Sequence, residues 1–444
     1  MKIAFNSPAR KRLTAAVVLL FATLYVGLAA RELAAFWLGT RSDLRSLKAA
    51  AWLDPGSADY RNHVGRYYDL VARDPIAAIA QYKAAVQLNP HSAEFWFDLA
   101  SAYQVLGDTA NQTAALERAI HADPMKPDVA WTAANFYLVQ GENKKALREF
   151  RVVLQSDPSL AASAIQFCWR ISPDVDLLLR EAVPPTVDAY IAFLTLLEND
   201  AAVQLTKALS PAEDTDVASL VTQIQNETTG SFKVWEALLQ IHQPFEPRFA
   251  DEYFQFLIQH KEVDQAVQVW RQAADLFGHT FYLPTPGNLV VNGTFGLPVL
   301  NAGFDWQFQK QSGVGITLDP GESYSGQAPL LINFDGPGIR DAGIYQYVAV
   351  QPDTIYEFSA HYKNKGDLDG AGGPHFTVQD MYSQAVYYES DELKGAGAWK
   401  EVDGEFTTGS DCKLVVLHLR RLPEGSPIRG KLWVTDFRLS RKRP

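Results

Sequence analysis

The chain has 444 residues, is 47% hydrophobic and 20% charged, and carries a formal net charge of -11. That length fits two or three domains, and the composition excludes a disordered tail. The acidic balance argues against a general nucleic-acid binder, and the two cysteines, Cys168 and Cys412, form neither a metal-ligand spacing nor a disulfide framework.

At the N-terminus, residues 1–12 hold Lys2, Arg10, Lys11 and Arg12 and no acid. Leu13 to Ala30 is then an uncharged run of 18 residues, the lower end of what crosses a bilayer core. Two readings compete. One is a cleaved signal peptide, with Gly27, Leu28 and Ala29 as a small-x-small site. The other is an uncleaved anchor. The run is longer than a usual signal core, and Ala34 to Leu38 continue it past Arg31 and Glu32, which favours the anchor. The leading cations place the N-terminus in the cytoplasm. The expected organisation is a cytoplasmic basic segment at 1–12 and a transmembrane anchor at 13–38 with its hydrophobic core at 13–30. The rest then lies in the periplasm of a bacterial host, held to the inner membrane by a single pass.

The stretch that follows is periodic. Pro55, Pro90, Pro124 and Pro158 stand 35, 34 and 34 residues apart. Ala78, Tyr82 and Ala85 precede Pro90; Tyr103, Gly107, Leu116 and Ala119 precede Pro124; Tyr137, Gly141, Ala146 and Phe150 precede Pro158. Small residues let paired helices approach, aromatics fill the next turn, and glycine turns the chain between helices. A fixed period near 34 with this interior predicts a solenoid of helix pairs. The pattern resembles the tetratricopeptide repeat family. It departs from it at Gln112 and Val153, where alanine is expected, and in the first copy, which has the longer interval and lacks the glycine. Leu47, Ala50 and Ala51 precede Pro55 at the same offsets, so the array begins almost at the anchor. Tyr190, Phe193, Leu194 and Leu197 later share one helical face, and Tyr253, Leu257, Ala266, Trp270 and Ala273 again resemble a repeat. We expect one helical domain over 41–280.

The composition changes at Pro284, Thr285, Pro286 and Gly287. A linker is expected at 281–287, open to proteolysis, with a β-domain after it. Alternating segments at 344–350, 355–363, 375–381, 413–421 and 431–439, separated by turn signals, predict an antiparallel sandwich or jelly roll. In order, NLVVNGTFG, GFDW, YSGQAPLLINF, GIYQYVAVQPDTIYEFSAHYK, AWKEVDGEF and LWVTDFRL resemble carbohydrate-binding modules of galactose-binding-like jelly-roll type over 288–440. The fold class is therefore multidomain α plus β: a membrane helix, an α-α superhelical solenoid and a C-terminal β-sandwich.

The repeat register implies a concave groove carrying Phe97, Ser101 and Gln104 from one copy and Asp128, Trp131 and Asn135 from the next. Phe97 and Trp131 stand where relatives that clamp a peptide carboxylate place lysine. An apolar groove for a protein segment is expected instead. In the β-domain, strand parity turns Phe358, Ala360, Tyr362, Phe376, Val378, Val415, Leu417 and Leu419 inward. It leaves His361, Gln379, His418 and Arg420 to share one open face, where polar groups would hydrogen-bond sugar hydroxyls. Trp306, Tyr387 and Tyr388 are candidate rings to stack on sugars. The jelly-roll resemblance implies a structural calcium in many relatives. Asp436 matches one ligand position and Gly296 replaces another carboxylate, so no metal is expected, nor any cofactor. No HExxH, GxSxG or phosphate-cradling loop is present, and no enzyme activity is expected. The combined expectation is a membrane-anchored scaffold that binds a protein through its helices and a glycan through its β-domain, in envelope polysaccharide synthesis or export. A protein-only assembly factor and a polysaccharide-acting enzyme with a targeting module are the alternatives.

Overall fold

The computed structural model describes residues 8–209, 216–336, 338–365, 368, 372–395, 397–421 and 427–442. Residues 1–7 of the expected basic segment lie outside them. The chain divides into two compact units, Met1–Leu196 and Leu197–Pro444. The linker expected at 281–287 therefore falls inside the second unit.

The first unit opens with α1 (Pro8–Gly39), a 32-residue helix long and apolar enough to cross a membrane. It turns through Thr40 to Asp43 into α2 (Leu44–Leu53), whose N-terminus is capped by Asp43 accepting from Ser46 N. Three helical hairpins follow: α3 (Ala58–Arg66) with α4 (Pro75–Leu88), α5 (Ala93–Val105) with α6 (Thr109–Ala122), and α7 (Pro127–Val139) with α8 (Asn143–Ser156). The periodic residues are their core. Leu47, Ala50, Ala51, Ala78, Tyr82, Ala85, Leu116, Ala119, Ala146 and Phe150 are all buried. α9 (Ala161–Ile171), α10 (Val175–Glu181) and the first half of α11 (Val187–Leu209) complete the unit.

Each hairpin turns in the same way. Gly107 and Gly141 have φ of +73° and +77°, and the next amide, Asp108 N or Glu142 N, donates back to Tyr103 O or Tyr137 O. In the first copy the corresponding left-handed residue is Arg73, with φ of +57°, and Asp74 N donates to Tyr68 O. The extra residue of this copy is absorbed by a π-helical turn over Tyr67–Val71. The missing glycine thus leaves the turn geometry intact, and a side chain occupies a conformation that disfavours it.

The second unit holds the end of α11, then α12 (Val217–Gln240), α13 (Pro247–Gln259) and α14 (Val263–Phe277). Lys261 takes the left-handed turn position between α13 and α14, with φ of +66°, and Glu262 N donates to Leu257 O. Tyr253, Leu257, Ala266, Trp270 and Ala273 are buried, so this pair repeats the earlier hairpins in degenerate form.

Among the described residues the β-domain has ten strands: β1 (Gln307–Phe308), β2 (Val314–Leu318), β3 (Leu330–Gly336), β4 (Asp341–Ala349), β5 (Ile355–Asn364), β6 (Pro374–Asp380), β7 (Val386–Glu389), β8 (Lys400–Thr407), β9 (Leu414–Arg421) and β10 (Ile428–Arg441). They form two antiparallel five-stranded sheets, in the orders β1-β4-β9-β6-β7 and β2-β3-β10-β5-β8. The residues turned inward by parity, Phe358, Ala360, Tyr362, Phe376, Val378, Val415, Leu417 and Leu419, meet in one core between the sheets.

The α13–α14 hairpin packs on this domain. Gly303 N donates to Asp251 Oδ1 at 2.8 Å, and the Phe254 and Phe304 rings meet edge to face at 4.9 Å. Tyr382 Oη donates to Ile258 O at 2.8 Å, and Lys413 Nζ lies 2.6 Å from Asp264 Oδ2. Gly303 has φ of +56°, and a Cβ there would lie 2.0 Å from Trp270 Cζ3, so only glycine admits this approach.

The left-handed turn yields a prediction. Arg73→Gly removes the Cβ strain and should stabilise the protein by about 1 kcal/mol after glycine's own entropy cost. Chemical denaturation of the purified chain checks this; equal or lower stability would show that Arg73 is not strained.

Candidate functional site

The outer face of the β1-β4-β9-β6-β7 sheet carries a polar group. Strand register sets it: His418 of β9 pairs with Tyr345 of β4 and with Thr377 of β6, and Arg420 pairs with Asp341 and His375. Arg420 Nη1 donates to Gln379 Oε1 at 2.9 Å, and the Gln379 amide in turn donates to Gln384 Oε1. His418 Nδ1 lies 3.2 Å from Asp341 Oδ2, and its ring is 6.1 Å from that of Tyr345. Thr377 is 2% exposed, and its hydroxyl has no hydrogen-bond partner.

The other end of the same face is covered. Val267, Trp270 and Arg271 of α14 bound a cavity of about 130 Å³ with Tyr347, Val348 and Ala349 of β4. The Tyr345 and Tyr347 rings stand 5.5 Å apart, and Tyr345 Oη donates to Gln307 Oε1. Asp341, Tyr345, Tyr347, His418 and Arg420 are half-buried on this face, and His375, Thr377 and Gln379 are buried beside them.

Of the expected β-domain residues, the structure brings together Gln379, His418 and Arg420. His361 is elsewhere: it lies on β5, in the opposite sheet, next to Thr435 of β10. There its ring is 4.5 Å from that of Tyr324 and its Nδ1 is 3.6 Å from Asp436 Oδ2. Parity correctly turned it outward, but from the other layer. Trp306 is 1% exposed, wedged between Phe295 and Phe437, with Nε1 donating to Asn292 O. It is a core residue and cannot stack on a sugar. Tyr387 and Tyr388 pack against the core from its edge. The Tyr387 ring stacks on Phe406 at 6.2 Å, and the Tyr388 ring leans on Phe358 at 5.2 Å. Asp341, Tyr345 and Thr377 belong to the site but were missed as members. The alternation of Ala342, Ile344, Gln346 and Val348 is the signal that turns Tyr345 outward. The Asp436 carboxylate faces Arg438, whose Nε and Nη2 donate to its two oxygens at 3.1 and 3.3 Å.

The helical unit holds a second candidate. A cleft of about 470 Å³ opens between the N-terminal halves of α5 and α7, lined by Glu94, Phe97, Asp98, Lys126, Asp128 and Thr132, among others. Arg66 crosses to Glu94 and Asp98 at 2.6 and 2.7 Å. Phe97 stacks on Phe136 at 6.0 Å. Of the expected groove residues, Phe97 and Asp128 line this cleft. Ser101, Gln104 and Asn135 follow along α5 and α7, with Gln104 and Asn135 exposed. Trp131 does not lie beside Phe97 as an open groove ring. It packs edge-on between Phe150 and Phe167, each at 5.4 Å.

Residues 67–124 match the tetratricopeptide repeat family. The helical hairpins there are tetratricopeptide repeats. No curated protein matches the chain. Among solved structures it is similar to CBM4, at 16% identity and a TM-score of 0.27, covering 34% of this chain and 99% of that one. It is similar to TmCBM61 in complex with beta-1,4-galactotriose, at 16% identity and a TM-score of 0.24, covering 35% and 99%. It is also similar to MamA, at 19% identity and a TM-score of 0.23, covering 44% and 89%.

The position of Trp131 predicts a stability effect. Trp131→Ala empties space between two phenylalanine rings and should cost about 3 kcal/mol. Thermal unfolding reads this directly; a melting temperature equal to wild type would return Trp131 to the groove.

Proposed function

We propose that this chain is a membrane-anchored periplasmic scaffold without enzymatic activity of its own. The helix α1 holds it to the inner membrane. The tetratricopeptide repeats take a protein segment, and the β-domain takes a glycan. Such a pairing suits an assembly that makes or exports an envelope polysaccharide.

The observation that supports the glycan arm best is the half-buried polar group on the β-sheet face. Arg420, His418 and Asp341 offer donors and acceptors at fixed spacing on rigid strands, with Gln379 holding Arg420 in place. A polyol with several hydroxyls in a fixed geometry matches that arrangement, and the flanking Tyr345 supplies an apolar surface. The cleft between α5 and α7 suits an extended peptide. Arg66 engages Glu94 and Asp98, which leaves Asp123 and Asp128 against Lys126, so a segment with a basic residue beside an apolar one fits.

A glycan array probed with the full-length protein in detergent tests the glycan arm. Arg420→Ala removes a charged donor and should weaken retention by about tenfold or more, with the melting temperature close to wild type. Retention of no glycan by the wild type, or equal retention by the variant, would refute this arm.

A further inference from the structure

We propose that the α1–α2 hairpin is a membrane seat: α2 lies at the bilayer surface with Trp52 in the headgroup interface and Lys48 and Arg45 above it, facing anionic phospholipid. The proposal rests on the reading of α1 as a bilayer-spanning helix.

The geometry follows from helix rise. α2 returns alongside α1 after a turn of only four residues, Thr40 to Asp43, so the two helices run antiparallel. Ala35 and Gly39 of α1 are buried, as are Leu47, Ala50 and Ala51 of α2. Both helices rise about 1.5 Å per residue, so Leu53, nine residues beyond Leu44, comes level with Ala30, nine residues before Gly39. Ala30 is the last residue of the uncharged run, and Arg31 follows it. The fold therefore brings the end of α2 back to the level where the apolar run stops.

Trp52 stands at that level and is 79% exposed, so it takes little part in packing the solenoid. Indole rings favour the membrane–water interface, where one face is apolar and the N–H is wet. Lys48 and Arg45 are exposed too, and lie four and seven residues back on the same side of α2. They sit roughly 6 and 10 Å farther from the bilayer core, the depth of the headgroup layer and just beyond. Lys48 Nζ lies over the Tyr68 ring at 5.4 Å and adds its charge from there, while the long Arg45 side chain reaches down to phosphates from such a position. Residues 31–53 hold Arg31, Arg41, Arg45 and Lys48 against Glu32 and Asp43, a local positive excess in a chain of net charge -11. Asp43 is engaged as the α2 cap, and Arg41 is stacked over Trp37 at 3.9 Å. The occupant of this face is thus a lipid surface continuous with the one α1 crosses.

The test uses the full-length chain reconstituted in vesicles of zwitterionic phospholipid, with and without phosphatidylglycerol. A solvent-sensitive dye is attached through Trp52→Cys or, as a distant control, through Val139→Cys. The expected result is blue-shifted emission at position 52 and not at 139. Quenching by shallow nitroxide lipids should rise about twofold when phosphatidylglycerol is added and fall back in Arg45→Glu with Lys48→Glu. A dye at 52 as wet as that at 139, or insensitive to anionic lipid and to the charge reversal, would overturn the seat. Release of the protein by carbonate wash would instead overturn the membrane reading of α1 on which it rests. Neither cysteine position lies in the solenoid core, so misfolding is separable by the melting temperature.

Discussion

The close contact of Trp270 with Gly303 is the constraint on which the second unit depends. A tryptophan on a repeat-like helix sits against a backbone position where no side chain fits, and Asp251 and Phe254 secure the same loop from α13. A degenerate helical hairpin and a β-sandwich thereby become one compact body. The polar face of the sandwich is shaped by the same docking. The hairpin bounds a cavity against Tyr347, Val348 and Ala349, and His418 and Arg420 lie half-buried farther along the same sheet. The helices of this unit thus help define the β-domain's binding face.

In the first unit the organising element is local. Each hairpin needs one left-handed residue and small residues at fixed offsets, and these act within 34 residues of one another. That is why the repeats, the buried alanines and the turns were legible in the sequence. The longer first copy shows how tolerant the device is. One residue is taken up by a π-helical turn, and Arg73 accepts a backbone conformation that glycine takes elsewhere. Gln112, the departure from alanine, is buried at the position where the smaller residue was expected.

The β-domain was legible in a different way. Alternation told which side chains face the core, and those assignments hold across β5, β6 and β9. Alternation cannot tell which of two sheets a strand joins, because that depends on pairings between distant segments. His361 was therefore grouped with His418, although β5 pairs with β8 and β10 while β9 pairs with β4 and β6. Trp306 misled for a related reason. A ring near turn residues reads the same whether it closes the core or faces water, and here Phe295 and Phe437 enclose it. The Pro-Thr-Pro-Gly stretch read as a linker, yet Tyr282 just before it donates to Pro298 O and accepts from Trp270 Nε1 through its carbonyl, tying both sides together.

The central claim, that α13 and α14 fold with the β-sandwich as one cooperative body, is tested most directly by native-state hydrogen exchange on the full-length chain across a denaturant series. The account predicts that slow amides of α13 and α14 share one opening free energy with those of β4, β6 and β9. Protection of the hairpin lost at lower denaturant than that of the sheets, together with the helices of the first unit, would contradict it.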